Sequence, residues 1–114
     1  MLKLYEFFRS SASYRVRIAL NLKRIDYQSC PVNFRNDEQK VQPFTSLNPS
    51  MLVPVLQEDD GWALTQSLAI IEYLDESFPA VSLLPAMARD RSRVRALAQL
   101  IACDVHPLNN LRVL

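Results

Sequence analysis

At 114 residues the chain has the length of one small domain, and 49% hydrophobic against 22% charged residues is the balance of an ordinary globular fold, which excludes disorder. Lys and Arg number 13 against 12 Asp and Glu, a formal net charge of +1, so no nucleic-acid or anionic-membrane partner is expected on bulk charge and any basic site must be local. The single glycine, Gly61, excludes the glycine-rich phosphate loops of nucleotide hydrolases and dinucleotide enzymes.

The amino-terminal MLKLYEFFRS lacks the apolar core of a leader, and no segment approaches the roughly 18 uninterrupted apolar residues of a membrane helix, so a cytoplasmic protein is expected. LKLYEF has strand composition. In SYRVRIALNLKRI, Val16, Ala19 and Leu20 join Ile18, Leu22 and Ile25 at helical spacings, which predicts a helix with a wide apolar face. DYQSCPVNF reads as a second strand, with Pro31 marking a sheet edge or strand end, and the β-α-β order implies parallel pairing. NDEQKVQPFTSLNPS is polar and proline-broken, a loop with a short helix at most. VPVLQEDDGWALT sets two apolar segments around Asp59, Asp60 and Gly61, the mark of a hairpin. QSLAIIEYLDESF predicts a helix with Leu68, Ile71, Leu74 and Phe78 on one face and Pro79 as its stop. After the connector AVSLLPAMA, Asp90 is the expected cap of a long helix, RSRVRALAQLIACDVHPLNNLRVL, with Val94, Leu97, Ile101, Val105 and Leu108 a turn apart. The apolar face of that helix needs partners, from more of the same chain or from another chain.

Cys30 and Cys103 stand far apart, with neither a C-x-x-C nor a metal-ligand spacing, so no metal is expected and both cysteines read as small buried hydrophobes. Ser10 and Ser11 fall where the first strand meets the first helix. Their ordinary role is capping; the alternative is that one hydroxyl donates to an anion at the helix end, helped by Arg9, Arg15 or Arg17, whose charge runs against the helix dipole. No cysteine lies in that turn, so a thiolate would arrive with a ligand, and glutathione is the natural one. Pro54 in LVPV could turn the backbone of Val53 toward an extended peptide ligand, or be an ordinary trans proline. Gln66 and Ser67 open the next helix, either as a plain cap or as a seat for a carboxylate. His106, Asn110 and Arg112, about one turn apart around the helix-breaking Pro107, suggest a polar pocket.

RSSASYRVRIAL, LNP followed by VP, QSLAIIEYL, LLP and HPLNNLRVL together resemble the zeta-class glutathione transferases, the family of maleylacetoacetate isomerase, over essentially the whole chain. The resemblance implies an α/β thioredoxin-like βαβ-ββα glutathione domain over residues 1–82. Residues 83–114 then hold the linker and first helix of an all-helical domain, most of which lies beyond this sequence. It implies glutathione as cofactor and a homodimer. It assigns Ser10 as the hydroxyl that stabilises the glutathione thiolate and Ser11 as its helper. Val53, before a cis Pro54, would pair with the cysteinyl backbone, Gln66 and Ser67 would hold the γ-glutamyl carboxylate, and His106 and Asn110 would border the site. Ala12 stands where the family motif has cysteine, and Leu52 where a glutamine often contacts glutathione. The implied reaction is cis-trans isomerisation of a small-molecule dicarboxylate, maleylacetoacetate, to fumarylacetoacetate. Arg9 and Arg112 are the expected clamps for its carboxylates. Alternatives are maleylpyruvate isomerisation, general glutathione transfer, or a non-catalytic thioredoxin-fold module binding glutathione or a protein.

Overall fold

A computed structural model describes residues 1–7, 9–32 and 53–105, with side chains to residue 102. Elements run β1 (Leu2–Glu6), α1 (Ser11–Leu22), β2 (Tyr27–Pro31), β3 (Val55–Gln57), β4 (Ala63–Thr65), α2 (Ser67–Ser77) and α3 (Ala88–Gln99), which continues as a π-helical segment, Leu100–Val105. The four strands form one mixed sheet in the order β2-β1-β3-β4. β1 pairs in parallel with β2 and antiparallel with β3, and β3 pairs antiparallel with β4. This is the βαβ-ββα order expected from the sequence. β2 is an edge strand and Pro31 is its last residue, where a missing N–H is tolerated.

Side chains alternate across the sheet as strand geometry requires. Leu4 and Leu56 point to one face and are fully buried against Val16 and Leu20 of α1 and Ile70 and Leu74 of α2. Their neighbours Tyr5 and Val55 belong to a smaller cluster with Val32, Val53 and Ala63. The apolar stripe of α1 is narrower than the sequence predicts. Ile18 is 42% and Leu22 57% exposed, because only the Val16–Ala19–Leu20 arc meets the sheet and α2. On α2 the buried positions are Ser67, Ile70 and Leu74; Phe78 is exposed rather than core. Ile71 packs against the edge of that core, and with Leu68 it also lines an open groove of about 380 Å³ shared with Leu84, Val94, Ala98 and Ile101.

Helix ends explain the boundaries. Ser10 caps α1, its Oγ accepting from Ser13 N at 3.1 Å. The other end closes in a Schellman arrangement: Ile25 N donates to Leu20 O at 3.0 Å and Arg24 N to Asn21 O at 3.1 Å, with Arg24 in the left-handed region at φ 55. The β3-β4 turn is held by Gly61 N to Glu58 O at 3.0 Å and Glu58 N to Trp62 O at 2.8 Å, and Gly61 supplies the φ of 94 that closes it. α3 begins at Ala88 with Met87 in the cap position. Asp90, expected as the cap, sits inside the first turn, where its charge suits the helix dipole. The connector before α3 is tied down by Lys23, whose buried ammonium donates to Phe78 O at 2.7 Å and Val81 O at 2.5 Å and pairs with Asp75 Oδ1 at 2.9 Å. The loop expected at residues 36–50 lies outside the described residues.

Candidate functional site

The register of the sheet decides which loops can meet. Tyr5 at the end of β1 lies opposite Val55 at the start of β3, and Val55 lies opposite Thr65 at the end of β4. Three connections therefore reach the same end of the sheet: the turn carrying Arg9 and Ser10 into α1, the Val53–Pro54 entry to β3, and the Gln66–Ser67 step from β4 into α2. Residues about 50 positions apart in sequence are gathered by backbone pairing alone.

Each connection contributes groups suited to a polar, anionic ligand. Ser10 already accepts a bond from Ser13 N, so its own O–H remains to donate outward. Ser11 is exposed on the first turn of α1, and Arg9 is exposed in the turn before it. The Val53–Pro54 peptide is cis. Gln66 holds φ 73 at the cap position of α2 without a side-chain capping bond, which sets aside the plain-cap reading for that side chain. Ser67 begins the helix, 8% exposed, and its Oγ accepts from Arg15 Nη1 at 2.8 Å. The first-turn amides of α2 and the positive end of its dipole face the same end of the sheet.

Arg17, read from sequence as a possible helper of that anion, has another task. Its Nε lies 3.2 Å from Oε1 of Glu6, a carboxylate 5% exposed on β1, while Ser29 Oγ donates to Oε2 at 2.6 Å. The Arg17 guanidinium also sits 5.2 Å from the centre of the Tyr14 ring. Arg17 thus neutralises a buried charge at the β1-β2 edge. Cys30 on β2 is half-buried, and burial pushes its thiol above the ordinary range, Lys3 offsetting part of the rise and Glu6 adding to it. A thiol held protonated in this way is not a nucleophile at neutral pH. His106, Asn110 and Arg112, together with Leu52, lie outside the described residues. The Arg15–Ser67 link was not foreseen from sequence; its only trace there was the positive charge early in α1.

The family model for the glutathione S-transferase N-terminal domain matches residues 4–82. The chain belongs to that family. Maleylacetoacetate isomerase of Pseudomonas aeruginosa is 51% identical over 115 residues, covering 99% of this chain and 54% of that protein. A holo structure of maleylpyruvate isomerase, described as a bacterial glutathione S-transferase of the zeta class, superposes with a TM-score of 0.91 at 49% identity, covering 97% of this chain and 52% of that one. A crystal structure of maleylacetoacetate isomerase from Methylobacterium extorquens AM1, with malonate and GSH bound, gives a TM-score of 0.93 at 49% identity over the same 97% and 52%. The zeta-class likeness read from RSSASYRVRIAL and its companion motifs is borne out, as is the thioredoxin-like fold. The chain spans about half the length of the curated relatives it matches.

Proposed function

We propose that the chain serves glutathione-dependent cis-trans isomerisation of maleylacetoacetate to fumarylacetoacetate, in a cytoplasmic homodimer. Residues 1–82 form the glutathione domain and residues 83–114 the linker and first helix of a helical domain. The observation that carries the reading is the convergence of Ser10, Val53–Pro54 and Gln66–Ser67 at one end of the sheet, in a chain about half identical to isomerases of this reaction type. The donor set fits glutathione. A helix N-terminus with a guanidinium-backed hydroxyl suits its carboxylate, and a capped serine with a proton to spare suits its sulfur.

Glutathione, when bound, supplies the thiol that adds reversibly to the conjugated double bond, so that a single bond can rotate before elimination gives the trans isomer. Ser10 donates its O–H to that sulfur and favours the ionised form; Ser11 is its neighbour and helper. Gln66 and Ser67 hold the γ-glutamyl carboxylate and the Val53 backbone pairs with the cysteinyl unit. His106 and Asn110 border the pocket, and Arg9 and Arg112 clamp the two carboxylates of the substrate.

The test is glutathione-dependent isomerisation of maleylacetone, a surrogate, with maleylpyruvate run alongside and Ser10→Ala as control. Turnover that needs glutathione and falls at least about 100-fold in Ser10→Ala is expected, the range of a single positioned proton donor. The maleylpyruvate isomerase likeness favours a second reading, decided by which substrate turns over faster. Glutathione binding without turnover of either substrate, by this chain and by a chain completed with the rest of the helical domain, would make it a binding module and overturn the isomerase assignment.

A further inference from the structure

We infer that Arg15 is a positioning residue for the Ser67 hydroxyl, aiming its proton out of the α2 N-terminus toward a bound carboxylate. The inference rests on the reading that Gln66 and Ser67 hold the glutathione carboxylate, and adds to it the residue that sets the hydroxyl's direction.

A serine oxygen has one proton and two lone pairs, and an unconstrained hydroxyl spends its proton wherever an acceptor is nearest, often on its own helix backbone. Ser67 is prevented from doing this on one side. Arg15 Nη1 occupies a lone pair at 2.8 Å, reaching from α1 to the first residue of α2 across 52 positions of sequence. A guanidinium has only donors, so it can take nothing from the serine and leaves the proton for another group. Donation from a cation also polarises the hydroxyl and strengthens it as a donor. Ser67 is nearly buried, so few orientations are open to it and a ligand meets one face of the oxygen. Arg15 itself is half-buried and lines the same groove as Leu68 and Ile71 of α2. Its permanent charge lies beneath a helix end that is already positive, a placement that costs stability when empty and favours an anion when filled.

The experiment is a double-mutant cycle on this chain with Arg15→Met, Ser67→Ala and the pair, reading the glutathione Kd by calorimetry between pH 5.5 and 8.5. In parallel, the Ser67 Hα–Hβ couplings of the unliganded chain report the side-chain rotamer by NMR. Arg15→Met should weaken glutathione about tenfold at every pH, since no titrating group is removed. In the Ser67→Ala background the same change should cost less than about twofold, because its object is gone. Ser67 couplings should report one rotamer in the parent and averaging in Arg15→Met. Arg15→Lys, which keeps charge and one donor, should restore affinity to within about threefold and return the single rotamer; it also decides the matter if Arg15→Met does not fold. Equal losses with and without Ser67, or one unchanged rotamer after Arg15→Met, would overturn the inference. A parent chain that binds no glutathione would sink the proposed function instead, and the couplings would still decide whether Arg15 holds the Ser67 side chain in one rotamer.

Discussion

Lys23→Met is expected to cost the fold about 3–5 kcal/mol at neutral pH and less in acid. The Lys23 ammonium is 8% exposed at the residue level and spends its three protons on Phe78 O, Val81 O and Asp75 Oδ1. Asp75 in turn accepts from Leu83 N at 2.8 Å. Burial pushes the Asp75 carboxyl up, but Lys23, the Leu83 amide and Arg91 together outweigh it and hold it below the ordinary value. Taking away the lysine leaves a carboxylate and two carbonyls facing a methionine, which costs about 3–5 kcal/mol when one partner of a buried pair is deleted. A domain of this size has roughly 5–15 kcal/mol in total. The sign with pH follows from linkage. In the parent, the lowered Asp75 value gives stability that is present above the unfolded value of about 3.9 and lost as pH falls through the folded value. In Lys23→Met the Asp75 value moves upward, so protonation relieves the variant first and the gap between the two proteins narrows from pH 7 toward pH 4. Urea unfolding followed by circular dichroism at three pH values measures both effects. Adding Asp75→Leu to Lys23→Met should recover part of the loss, since it removes the stranded charge while Phe78 O, Val81 O and Leu83 N stay without their partners. A cost below about 1 kcal/mol that does not change with pH would refute the reasoning, because that is the behaviour of a solvent-screened surface pair.

Arg24→Gly should stabilise the chain by about 0.5–1 kcal/mol, read as a rise in urea midpoint, because a side chain at φ 55 is relieved while the two Schellman bonds remain. Gly61→Ala should do the reverse, losing about 1 kcal/mol: the added Cβ meets nothing within 4 Å, so the cost is the backbone at φ 94 and not a clash. Arg17→Met should cost about 3 kcal/mol by stranding Glu6, and Glu6→Gln in the same chain should recover part of it; an unaltered midpoint in Arg17→Met would refute the buried pair.

The strands and their order were legible because strand periodicity, Pro31 and the Asp-Gly turn are local signals, and the sheet then needs only the connection rules to assemble. What was not legible depends on partners far along the chain. Periodicity locates an apolar stripe but not the width of arc its neighbours can cover, so Ile18 and Leu22 read as core and are exposed. Asp90 reads as a cap because its residue type is right, yet α3 starts at Ala88, and Arg91 Nη1 donates back to Pro85 O at 3.2 Å across that start. Arg24 carries no signal of a left-handed backbone, since glycine is the residue that announces one. The Lys23 clamp joins positions more than 50 residues apart, and nothing in either segment announces it.

The arginines of α1 show how a broken local rule can be resolved at another element. Positive charge in the first turns of a helix opposes its own dipole, and taken with α1 alone neither Arg15 nor Arg17 has a reason to be there. Two positions apart on a helix means about 200° apart around it, so the two side chains serve different neighbours. Arg17 turns to β1, where Glu6 would otherwise be a buried uncompensated carboxylate. Arg15 turns to α2, where Ser67 opens the helix. α1 thus lends a charge to the first residue of the next helix, the end at which the proposed carboxylate seat lies. The sequence names the residues, but only the β1-β3-β4 register, which brings the start of α2 beside the start of α1, supplies the partner that makes their charge favourable.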